Sequence, residues 1–92
     1  MTQPLAGKQI LIVEDEPVFR SLMDSWLSSL GATTLLAQDG VEALTQMANQ
    51  SPDLMICDLA MPRMNGLQLV EHVRNAGHSL PILVISATEK YG

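Results

Sequence analysis

Four acidic residues and one serine in this 92-residue chain stand where short apolar runs stop. Gln9-Ile10-Leu11-Ile12-Val13 runs into Glu14-Asp15-Glu16, Leu54-Met55-Ile56-Cys57 runs into Asp58, and Pro81-Ile82-Leu83-Val84-Ile85 runs into Ser86. Carboxylates that converge on one point repel, so such a site must take up a proton or bind a cation. A hard divalent ion satisfies oxygen ligands, and Mg²⁺ suits the set better than Ca²⁺ because it is held by one or two carboxylates plus water and phosphate oxygens. Zinc fits less well: neither His72 nor His78 follows an apolar run, and Cys57 is expected to face the core. A carboxylate beside bound Mg²⁺ is also a nucleophile, able to form an acyl phosphate with a phosphodonor while the ion screens the incoming charge. Ser86 would then offer its hydroxyl to a phosphoryl oxygen.

That chemistry requires elements that bring the run ends together. The apolar runs are short, rich in β-branched residues and unbroken, the pattern of strands buried on both faces of a parallel sheet. Between the first and second strands, Pro17 suits the first helical position. Val18, Phe19, Leu22, Met23, Trp26, Leu27 and Leu30 form an apolar face, and Gly31 ends the helix as a left-handed cap. Thr33-Thr34-Leu35-Leu36-Ala37 reads as the second strand. Asp39 is placed to cap a second helix, with Glu42 at capping-box spacing, Val41, Leu44, Met47 and Ala48 as its stripe, and an end near Ser51-Pro52. Met61-Pro62-Arg63-Met64-Asn65-Gly66 reads as a loop, after which Leu67, Leu69, Val70 and Val73 mark a third helix closed by Gly77. The order β-α-β-α-β-α-β predicts right-handed crossovers and a parallel sheet covered on both faces, for which the doubly wound order 2-1-3-4 is one arrangement. In that order the first and third strands are neighbours, and Glu14, Asp15 and Asp58 meet at the carboxyl rim.

Composition limits the alternatives. Apolar residues make up 47% and charged residues 16%, a globular balance in a chain long enough for one domain. The net charge of −5 disfavours nucleic acid and anionic membrane surfaces as partners. Cys57 is the single cysteine, which excludes an internal disulfide; it reads as a small buried hydrophobe. No run is long enough for a signal peptide or membrane span, so a cytoplasmic location is expected. Glu16 and Asp39 read as surface or capping residues. Met61 and Met64 flank the site, Trp26 reads as core, and His72 and His78 carry no assigned role.

Val13-Glu14-Asp15-Glu16, Asp58-Leu59-Ala60-Met61-Pro62-Arg63-Met64-Asn65-Gly66 and Ile85-Ser86-Ala87 resemble, in order, the three signature segments of two-component response-regulator receiver domains. The resemblance implies a flavodoxin-like fold with Asp58 as phosphoacceptor. Glu14 and Asp15, with the backbone carbonyl of Ala60, complete the Mg²⁺ ligands, and Ser86 is the hydroxyl that turns toward the phosphoryl group. Pro62 and Gly66 shape the loop between. It further implies a sensor histidine kinase or small phosphodonor, and a protein output partner. Up to Ser86 the sequence is also similar to receivers of adaptors that deliver a sigma factor to a cytoplasmic protease, which keeps open a binding module only modulated by phosphorylation. A phosphatase-like enzyme with an aspartate nucleophile ranks last, because the position two residues after Asp58, where a second acid would act on the leaving group, is Ala60.

Receivers continue with a fourth helix, a fifth strand ending in lysine and a fifth helix. Residues 1–92 are therefore expected to be a receiver incomplete at its C-terminus, with Lys90 too early to replace that lysine. An open fourth strand and uncovered apolar surface beside the first helix would favour dimerisation or exchange of elements between chains.

Overall fold

A computed structural model describes residues 3–86 of the chain. The elements run in the order β1 (Gln9–Val13), α1 (Pro17–Ser29), β2 (Thr33–Ala37), α2 (Gly40–Met47), β3 (Leu54–Asp58), α3 (Gly66–Asn75) and β4 (Ile82–Ile85). All strand pairs are parallel, and the sheet runs β2-β1-β3-β4, the doubly wound order. Ala87, Lys90 and the expected start of a fourth helix lie outside the described residues.

β1 shows why its sequence is apolar throughout. Ile10 and Ile12 pack with Ile56 of β3 and Leu27 of α1. Leu11 and Val13 point the other way, into a cluster with Met55, Cys57, Ala43, Met47, Leu69 and Val73. Successive side chains of a strand face opposite sides, so α1 covers one face while α2 and α3 cover the other.

Local chemistry sets the helix boundaries. Glu16 caps α1 by accepting from the amides of Val18 (3.2 Å) and Phe19 (2.8 Å), with Pro17 in the first turn. Gly31, at φ 99°, makes the left-handed turn that an L side chain resists. Asp39 accepts from the Glu42 amide at 2.8 Å, whereas Glu42 reaches the amide of Gln38 instead of closing the reciprocal pair on Asp39. Asn65 and Gln68 form a complete capping box at α3.

Three boundaries and one side chain differ from expectation. α3 begins at Gly66, a residue expected in the preceding loop, because the Asn65–Gln68 capping box starts the helix there. α2 stops at Met47 rather than near Ser51-Pro52, because the Asn49 amide bonds to the Gln46 carbonyl in a tightened last turn and the chain then leaves toward β3. Pro81 gives β3 only its carbonyl, accepting from Met55, since it has no N–H to pair. Trp26, read as core, is 61% exposed. α1 buries Leu27 against the sheet, while Val18, Leu22 and Trp26, each four residues from the next, lie along its outer edge.

Candidate metal and phosphoryl site

Strand register assembles the site. Val13 pairs with Cys57 across β1 and β3, so the residues immediately after them, Glu14 and Asp58, emerge side by side. The Glu14 amide still donates to the Ala37 carbonyl at 3.0 Å, which carries the ladder one step past the strand end and fixes where the acidic pair begins. Asp58 is itself the last residue of β3, in register with Ile85 of β4. The ends of all three runs therefore share one rim, where the loops of an open parallel sheet meet.

Carboxylate oxygens of Glu14, Asp15 and Asp58 lie within 4.8 Å of one another. Glu14 and Asp58 are each only 1% exposed, and Asp15 is half-buried. At that separation two ionised carboxylates repel by about 3 kcal/mol for an effective dielectric near 20. Carboxylates this close are relieved by uptake of a proton or by a bound cation. All three donors are hard oxygens, and the group includes neither histidine nor cysteine, so the set fits Mg²⁺ better than zinc.

The surroundings fix these groups in place. Glu14 Oε2 accepts from the Glu16 amide at 2.9 Å, and the Glu14 carbonyl accepts from Arg20 Nη1 at 2.7 Å, which braces the start of the β1–α1 loop from α1. Asp58 Oδ1 accepts from the Ala60 amide at 3.3 Å. Beyond it the loop is stitched at both ends, the Leu59 amide donating to the Ile85 carbonyl (2.7 Å) and the Gly66 amide to the Leu59 carbonyl (2.9 Å). Gly66 is a packing requirement: a Cβ there would stand 2.6 Å from the Asp58 carbonyl oxygen. Ala60 is exposed in this loop, and Ser86, exposed as well, comes directly after Ile85 at the same rim.

Neighbouring groups separate by environment. Cys57 is fully buried, and burial, reinforced by the charge of Asp58, pushes its thiol up to about 11. It is a packing residue, not a nucleophile. His72 is exposed on α3, away from the rim.

Two arginines near the site carry no signal strong enough to be found in sequence. Arg20 lies six residues beyond Glu14 and reaches a backbone carbonyl, an interaction without side-chain grammar. Arg63 forms an ion pair with Asp39, 24 residues away. Asp39 was legible as a cap; its second role depends on the tertiary fold.

Residues 10–91 match the family model described as "Response regulator receiver domain". The chain is 74% identical over 89 residues to the Regulator of RpoS of Escherichia coli K12, covering 97% of this chain and 26% of that protein. It is 43% identical over 81 residues to the response regulator MprA of a Mycobacterium species, covering 88% of this chain and 35% of that one. The chain thus spans about a quarter to a third of the length of these curated relatives. Among solved structures, the response regulator TrrA of Thermotoga maritima, crystallised with Mg²⁺ and BeF, superposes with a TM-score of 0.83 at 33% identity, over 91% of this chain and 73% of that one.

Proposed function

The chain belongs to the response regulator receiver domain family, and on that premise we propose that it is a phosphoacceptor switch that takes a phosphoryl group on Asp58 in a Mg²⁺-dependent way. The observation that carries this reading is the convergence of Glu14, Asp15 and Asp58 at the rim of the sheet.

In this reading Glu14, Asp15 and Asp58, with the Ala60 carbonyl, would hold the ion. Bound Mg²⁺ would supply charge neutralisation for the incoming phosphoryl group. An Asp58 carboxylate oxygen forms the new O–P bond as the bond from phosphorus to the donor's leaving group breaks, and the bonding pair departs with that group. The Ala60 amide, already directed at Oδ1, keeps the carboxylate oriented. The Ser86 hydroxyl donates to a phosphoryl oxygen and carries the change into β4. A histidine kinase or a small phosphodonor is the source, a protein is the receiver of the signal, and the cytoplasm is the compartment. No helix among the described residues is long and apolar enough to cross a membrane. Neither nucleic acid nor a membrane is proposed as a direct partner, and the domain is read as a signalling module rather than an enzyme.

Beryllofluoride, which imitates the phosphoryl group, tests the reading. Binding monitored by ¹⁹F NMR is expected with Mg²⁺ present, and to vanish with chelator or in Asp58→Asn; binding that persists in either case contradicts it.

The 74% identity to the Regulator of RpoS favours a second reading, an adaptor that binds a sigma factor and for which phosphorylation is only modulatory. Undiminished partner binding by Asp58→Ala would select this reading over an obligatory switch.

A further inference from the structure

The loop from Asp58 to α3 is pinned at a third point, away from its stitched ends. Arg63 adopts φ 65°, the single left-handed non-glycine residue among those described, a conformation that persists only where surroundings enforce it. Its guanidinium pairs with Asp39 at the N-terminus of α2. Beside this pair, Met64 packs against Gly40 so closely that a Cβ on the glycine would stand 2.6 Å from its sulfur. Asp39 is 7% exposed and divides its oxygens: Oδ1 accepts from the Glu42 amide at 2.8 Å, Oδ2 from Arg63. Arg63 is 66% exposed, so the pair adds little to global stability. Its effect falls on the loop, which it ties to α2 by charge where Met64 ties it by packing.

We propose that Arg63 and Asp39 act as a positioning pair, holding the loop that carries Ala60 at the height the metal site needs and coupling α2 to that site. The inference rests on the Mg²⁺ reading given above. Asp39→Asn removes the charge yet keeps an acceptor for the Glu42 amide, and Arg63→Lys keeps the charge; these variants separate pairing from capping.

The test uses the protein at full length, with Mg²⁺ binding measured by calorimetry and amide hydrogen exchange monitored without metal. Arg63→Met and Asp39→Asn are each expected to weaken Mg²⁺ binding roughly threefold to tenfold, toward the low end of losses seen when partners behind metal ligands are removed. The double variant should lose no more than either single one, Arg63→Lys should recover most of the affinity, and added salt should shrink the wild-type advantage. Exchange at residues 60–65 should quicken while β1 and β3 stay protected. Unchanged affinity in Arg63→Met, or losses that multiply in the double variant, would overturn the inference. A wild type that binds no Mg²⁺ would remove the phosphoacceptor reading and this inference with it, whereas a wild type that binds with variants that match it overturns the inference alone. Should Asp39→Asn fail to fold, the contrast between Arg63→Met and Arg63→Lys decides.

Discussion

Asp58 closes β3 with its side chain buried and a carboxylate oxygen within 4.8 Å of those of Glu14 and Asp15. Asp58→Asn keeps an acceptor for the Ala60 amide while removing one charge. In chelator and low salt the variant is expected to be more stable than wild type by about 1–2 kcal/mol in urea denaturation, given the repulsion it relieves. A less stable variant would show that the carboxylates do not strain the fold. Cys57 lies at the opposite extreme: fully buried, it should react with a thiol reagent only as fast as the domain opens. At this scale the three acids were legible because each stands after an apolar run whose strand identity is plain. Arg20 and Arg63 were not, since one reaches a backbone carbonyl and the other a cap far along the chain.

Each element could be located from its punctuation, less reliably from its apolar face. Pro17, Gly31, Asp39 and Gly77 mark starts and stops because each satisfies or frees a particular backbone group, whereas Asn65, expected only as part of a loop, turned out to cap α3. The face of α1 misled where Trp26 was concerned. Periodicity shows that a stripe is apolar and not how much of it the sheet covers; here Leu27 is inside, while Leu22 and Trp26 border a groove with Phe19, Met23, Leu83 and Ile85. Two substitutions check this assignment by chemical denaturation. Leu27→Ala should cost about 2–5 kcal/mol as a core truncation, and Trp26→Ala no more than roughly 0.5 kcal/mol. Equal losses would mean that the tryptophan is covered. Gly66→Ala tests the join between α3 and the site: its Cβ meets backbone, which cannot swing aside. A loss of about 1–3 kcal/mol in stability is expected, together with weaker Mg²⁺ binding, because the atom displaced belongs to Asp58. Normal stability and metal affinity would show that the loop has room to spare.

Across the whole molecule, strand order does what no single residue can. The 2-1-3-4 arrangement makes β1 and β3 neighbours, and only then do Glu14, Asp15 and Asp58 share a rim. Alternation of strand and helix implied a parallel sheet but not its order, which the resemblance to receiver domains supplied, so the site's location was legible only with both. The sequence left open how the loops between the elements are braced, because those contacts join residues that are distant in the chain. An ion that binds only the folded state stabilises it by mass action, about 1.4 kcal/mol at ten times its dissociation constant, or roughly 5–10 °C in melting temperature for a domain this small. That shift should be present in wild type and absent from Asp58→Asn. The most direct measurement of the central claim is identification of the residue that carries phosphate: treat the protein with a small acyl phosphodonor and Mg²⁺, trap the product with borohydride, and map the peptides by mass spectrometry. Reduction to homoserine at position 58, dependent on Mg²⁺, is the result predicted; an unmodified Asp58, or modification elsewhere, would contradict it.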